Sequence, residues 1–160
     1  MPVGLIAQRE GARVVTGPAV SDGAVTRSGD TYLIKLSMAS PSRRRRYTLA
    51  HELGHIIFDR LGEARSPDPG RPPDLGLDAR QEERFCQAFA SYLLVPTEAI
   101  ADLARWQRFS IMGLEDRANQ LQVSLQMLVW RVLEEAPYEG GALWFRRMGK
   151  PTDPGDVRLR

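Results

Sequence analysis

His51-Glu52-Leu53-Gly54-His55, preceded by Arg46-Tyr47-Thr48-Leu49-Ala50 and followed by Ile56-Ile57, decides how this chain of 160 residues is read. From Tyr47 to about Leu61 the apolar residues Leu49, Leu53, Ile56 and Ile57 recur at steps of three and four, the mark of a helix with one apolar face. Residues four apart on a helix lie one turn above another on nearly the same side, so His51 and His55 direct two imidazoles at one place. Glu52 projects roughly 100° further round the axis, where it reaches a water at that place without joining both histidines as a ligand. These are the parts of metal-assisted hydrolysis. Zinc brings the pKa of a bound water toward about 7, and a nearby carboxylate takes the proton.

Working outward, Gly62 is the expected end of the helix. Residues 65–78 hold Pro67, Pro69, Pro72, Pro73, Gly70 and Gly76, a density that predicts a loop. A second helix is expected from about Ala79, with Phe85, Phe89, Tyr92 and Leu93 on its buried side, and Pro96 stops it. Thr97 is the expected N-cap of another helix through Trp106. On the N-terminal side a short helix over Leu5–Gly11 and a strand over Arg13–Val15 are predicted. A strand over Asp30–Leu36 follows from its Tyr, Leu and Ile alternation, and Asp22-Gly23 and Ser28-Gly29 read as turns around Ala24-Val25-Thr26. Ser110 to Glu135 reads as a pair of helices, the second capped by Ser124. Ala142-Leu143-Trp144-Phe145 reads as a strand, and 151–160 as a loose tail.

Composition excludes several classes. No stretch approaches the roughly 20 apolar residues that span a bilayer. The start, Met1-Pro2-Val3-Gly4-Leu5, lacks the layout of a secretion signal, and a lone cysteine, Cys86, makes no internal disulfide, so a cytoplasmic protein is expected. Net charge is only +2. All basic residues except Lys35 and Lys150 are arginine, and the only dense cluster is Arg43 to Arg46. That run reads as a solvated or helix-entry feature before it reads as a phosphate contact.

A catalytic zinc takes three protein ligands and keeps a fourth position open. With no third histidine, the remaining ligand is Asp, Glu or Cys. Glu82 and Glu83 open the second helix, and spacing favours Glu83 only slightly. Asp59 lies one turn beyond His55, and Cys86 sits among Phe85, Ala88 and Phe89 in a setting that reads as core. Tyr47, one turn before His51, and Tyr92 are candidates to stabilise a transition state, although each also reads as a packing residue.

The run Arg46 to Ile57 resembles the signature of the ImmA/IrrE family of metallopeptidases. Glu83-Arg84-Phe85-Cys86-Gln87-Ala88-Phe89-Ala90-Ser91-Tyr92-Leu93-Leu94-Val95-Pro96 resembles that family's second block. The likeness is close over about residues 30–97 and looser over 98–136. It implies a zinc site in which Glu83 is the third ligand beside His51 and His55 and Glu52 is the general base; the sequence alone leaves manganese open as the alternative ion. It places Gln87 where the family commonly has an Asn or Asp that bonds a ligand histidine. It also implies intracellular, site-specific cleavage of a helix-turn-helix repressor, relieving repression in a stress response or in control of a mobile element. The fold class expected is α+β and zincin-like, with a small twisted sheet. Residues 1–108 form the metallopeptidase domain, 109–136 a helical subdomain packed on it, and 137–160 a short strand and tail.

Ile111 to Ser124 resembles the first helix and turn of a helix-turn-helix. The candidate base readers on the second helix, Gln126 and Arg131, include one cation, and Glu134 and Glu135 follow. Phosphate contacts dominate DNA affinity and need Lys or Arg, so a structural or substrate-gripping subdomain is favoured over direct DNA binding. Two rivals to the peptidase stand: a DNA-binding regulator with an inert metal site, and a toxin–antitoxin or phage-immunity partner acting by occlusion. Trp106, Trp130 and Trp144 read as core or interface anchors.

Overall fold

A computed structural model of the chain describes residues 2–18, 22–65, 75–101, 103 and 111–135. The expected strand at 142–145, the tail at 151–160, most of the proline-rich loop, Trp106 and Trp144 lie outside these. The architecture is α+β. Helix α1 (Val3–Arg9) leads into strand β1 (Ala12–Gly17), then β2 (Gly23–Ser28) and β3 (Thr31–Ser37). The strands form a mixed sheet in the order β1-β3-β2, with β1 parallel and β2 antiparallel to β3. Gly29, at φ +60°, makes the tight turn between β2 and β3 where Ser28-Gly29 had predicted one. Helix α1 begins and ends two residues earlier than expected, because Gly11 at φ +69° stands just past the helix end and reverses the chain.

Helix α2 (Ser42–Arg65) exceeds the expected span at both ends. Gly62, the expected terminator, is buried inside it. Its first turns carry the four arginines, and each has a partner. Arg43 donates to Asn119 Oδ1 at 2.8 Å and Val123 O at 3.3 Å; Arg46 donates to Leu121 O at 2.6 Å. Arg44 pairs with Asp22, and Arg45 donates to Met38 O at 3.2 Å. The run is therefore a clamp between elements.

Helix α3 (Ala79–Leu94) opens with a capping box. Asp78 Oδ1 accepts the Gln81 N–H at 2.7 Å, and Gln81 Oε1 accepts the Asp78 N–H at 2.8 Å. After Pro96 the chain makes a 3-10 turn, Thr97–Ala99, so Thr97 lies inside a turn and is not a cap, and most of the helix expected through Trp106 falls outside the described residues. The Thr97 hydroxyl instead donates to Glu135 Oε1 at 2.9 Å. Helices α4 (Ile111–Leu121) and α5 (Leu125–Glu135) are the expected pair. They are joined through Gln122 at φ 55°, and the Ser124 hydroxyl accepts the Met127 N–H at 3.1 Å as a cap.

The core forms where Tyr32, Ile34 and Leu36 of β3 meet Ala50, Leu53 and Ile56 of α2. Ala90 and Leu94 of α3 and Leu128 and Val132 of α5 extend it. Each fully buried Leu or Ile contributes about 1.5–3 kcal/mol relative to exposure. Arg131 fixes α5 against the end of α3. It is 1% exposed, its Nε donates to Val95 O at 3.2 Å, and it pairs with Glu134 at 2.8 Å and Glu135 at 2.9 Å. Its guanidinium also stacks 3.6 Å above the Tyr92 ring. A residue read as a candidate contact to DNA is thus enclosed by protein. Trp130, read as an anchor, is 44% exposed. No helix among the described residues is long and apolar enough to cross a membrane.

Candidate metal centre

Helices α2 and α3 approach closely at Gly54, where any side chain would meet α3. A Cβ on Gly54 would stand 2.9 Å from Cys86 Cα. With the two backbones that near, Glu83, three residues before Cys86, faces the turn of α2 that carries the histidines. His51, His55 and Glu83 each offer a ligand atom within 4.8 Å of the others. Glu83 Oε2 lies 3.4 Å from His51 Nε2, and Glu83 Oε1 lies 3.4 Å from His55 Nε2. Those separations exceed the usual 2.9–3.0 Å of an N–H···O bond. Ligands of a tetrahedral ion held at roughly 2.0–2.1 Å stand about 3.3 Å apart, so each Glu83–histidine separation is one that two zinc ligands would show. The two imidazoles are 5.1 Å apart between centroids and nearly perpendicular.

Electrostatics agree with that use. Burial lowers the pKa of His51, opposed by the nearby Glu83 and assisted by His55, which favours the neutral, metal-binding imidazole. The Nδ1 of His51 is buried with no hydrogen-bond partner among the described residues. His55 differs, because its Nδ1 lies 2.7 Å from Glu82 Oε1.

Glu52 is 8% exposed and lies on the strand side of α2. Burial raises its pKa, opposed by His55 and by the Val25 N–H, which donates to the carboxylate from the edge strand β2. Gly23 keeps that strand close. A Cβ on Gly23 would collide with Thr48 Cγ2 and come within 3.3 Å of Glu52 Oε1. A carboxylate with a raised pKa beside two imidazoles is suited to accept a proton and return it.

The other candidates are placed apart from the trio or at its rim. Tyr47 is half-buried with its ring 6.2 Å from that of His51, and burial, then Glu83 and Cys86, raises the pKa of its phenol. Tyr92 stands nine residues beyond Glu83 on α3, roughly 13 Å along the axis. There it stacks on Arg131 and lines a groove of about 750 Å³ with Arg46, Leu49 and Gln122. None of His51, Glu52, His55 or Glu83 lines that groove, so Tyr92, half exposed, faces the groove and not the trio. Gln87 is exposed, and its backbone carbonyl is what bonds, accepting from Ser91. The carboxylate that reaches a ligand histidine is Glu82. Asp59 accepts from the Tyr32 hydroxyl at 2.8 Å and Arg27 at 2.9 Å, tying α2 to the sheet. Cys86 is fully buried, and burial pushes its thiol up to about 12, so it is core.

Comparison with known proteins bears on the chain's family. The sequence profile of the IrrE N-terminal-like domain matches residues 7–133. The chain is also 30% identical over 122 residues to the "Radiation response metalloprotease IrrE" of Deinococcus radiodurans. That alignment covers 72% of this chain and 34% of the relative, so the chain spans about a third of the length of the protein it matches.

Proposed function

The chain belongs to the family of IrrE N-terminal-like metalloprotease domains, and from that premise we propose that it is a zinc-dependent endopeptidase with a zincin-like fold. The observation that carries the proposal is the convergence of His51, His55 and Glu83 with Glu52 one residue from the first histidine. Two imidazoles and a carboxylate favour zinc, with manganese the substitute to test. Zinc held there supplies Lewis acidity, polarising a peptide carbonyl and bringing the pKa of water toward about 7.

The chain's own residues do the rest. Glu52 accepts a proton on its carboxylate as the water oxygen bonds the carbonyl carbon. It then delivers that proton to the amide nitrogen as the C–N bond breaks. The Val25 N–H steadies the carboxylate in its ionised form, and burial makes the protonated form accessible. Tyr47, beside His51, is a candidate donor to the developing oxyanion.

The substrate we propose is a helix-turn-helix repressor cut at one site, relieving repression in a stress response or in a mobile element. Residues 1–108 would form the catalytic unit and 109–136 a helical subdomain. A base-reading role for α5 draws less support, because Arg131 is buried and its charge is paired.

The test is direct. Purified chain should carry about one zinc by elemental analysis, and it should cleave the repressor encoded nearest to it. Glu52→Gln should keep the metal and lose roughly 10²–10⁴-fold in cleavage rate. A metal-free protein under replete conditions, or a Glu52→Gln variant that still cleaves, would sink the reading.

A further inference from the structure

Adjacent carboxylates on α3 approach one imidazole from its two nitrogens. Glu83 stands 3.4 Å from His55 Nε2, while Glu82 Oε1 is 2.7 Å from His55 Nδ1. The shorter distance is that of a charge-assisted hydrogen bond, whereas the longer is the spacing of two ligands across an ion. A carboxylate is an acceptor only, so against neutral His55 the proton of this bond belongs to Nδ1. The lone pair is then left on Nε2, which faces Glu83 and His51. Histidines that bind metals commonly give their other N–H to such a partner, which fixes both tautomer and ring angle.

We infer that Glu82 is the positioning residue of this site, holding His55 as its Nδ1–H tautomer with Nε2 aimed at the ion. The position where the family resemblance had placed such a partner, Gln87, is exposed and makes no such bond. The inference rests on the metallopeptidase reading for its purpose, though not for its geometry. It also sets the two histidines apart: His51 Nδ1 has no partner among the described residues, so only His55 is oriented in this way.

The full chain, stripped of metal and carrying ¹⁵N-labelled histidine, tests the tautomer by NMR across a pH series that reaches the neutral ring. The wild type should show His55 protonated on Nδ1. Glu82→Ala should show mixed tautomers for His55 with little change at His51. Competition against a chromophoric chelator should then give a 10–100-fold weaker zinc affinity for Glu82→Ala. Glu82→Gln, whose side-chain oxygen still accepts, should restore the tautomer and most of the affinity.

An unchanged His55 tautomer in Glu82→Ala, or equal losses of affinity in the Ala and Gln variants, overturns the assignment even if the wild type binds zinc and cleaves. If Glu82→Ala shifts the tautomer while the wild type takes up no zinc, the positioning is supported and the peptidase reading falls instead.

Discussion

At the scale of single residues, the buried carboxylate of Glu52 is costly to ionise. Burial raises its pKa, so the folded chain holds that proton more tightly than the unfolded chain does. Linkage fixes the sign: stability contributed at this site is present below the ordinary carboxylate pKa and is lost as pH rises through the higher folded value. Metal-free Glu52→Gln should therefore unfold at higher urea than the wild type at about pH 8, and the gap should close toward about pH 4. A wild type that is the more stable at pH 8 would contradict this. The nearness of His51 and His55, with Glu52 beside them, was legible because their spacing acts within one helical turn. The partner of His55 was not, since Glu82 and Gln87 both lie on α3 within reach by spacing. Only the rotation of that helix against α2 brings Glu82 to the ring.

Among elements, the contact that matters most is between α2 and α3 at Gly54 and Cys86. Gly54→Ala would gain about 1 kcal/mol of helix propensity but place a methyl 2.9 Å from the Cys86 backbone. Overpacking of that kind costs about 1–3 kcal/mol, and backbone cannot yield as a side-chain tip can, so destabilisation should win. Thermal unfolding should fall by a few degrees, and zinc affinity should drop as Glu83 moves with α3. A variant as stable and as tight-binding as the wild type would show that the helices have slack. Element types were readable from periodicity, as in β3, α2 and α3. Boundaries were less so. The Asp78-x-x-Gln81 box was a signal for the start of α3, whereas nothing local revealed that Gly62 would be buried within α2.

For the whole molecule, the α4–α5 pair is fastened by arginines from distant segments. Arg43 and Arg46 of α2 hold the carbonyls at the end of α4, and Arg131 locks α5 to Val95 and Tyr92. Hydrogen bonds from charged groups are worth about 1.5–3 kcal/mol each. Arg131→Ala should thus speed amide exchange in α5 markedly while leaving zinc affinity unchanged. Equal exchange in variant and wild type would mean that apolar contacts alone hold the pair. These clamps were invisible in the sequence because an arginine run looks the same whether it meets water, phosphate or helix carbonyls. What distinguishes them is chain from some 75 residues away.

The ligands also come from two helices, and this bears on how the chain resists unfolding. An ion shared by His55 and Glu83 closes a loop of roughly 30 residues, and a covalent bridge closing such a loop is worth roughly 3–4 kcal/mol in chain entropy. A chain with Cys86 as its sole cysteine has no disulfide with which to gain that restraint. The metal would serve as a removable cross-link, indifferent to reducing agents and undone by a chelator. Adding a chelator should accordingly lower the melting temperature of the wild type by several degrees, and Glu83→Gln should abolish most of that response.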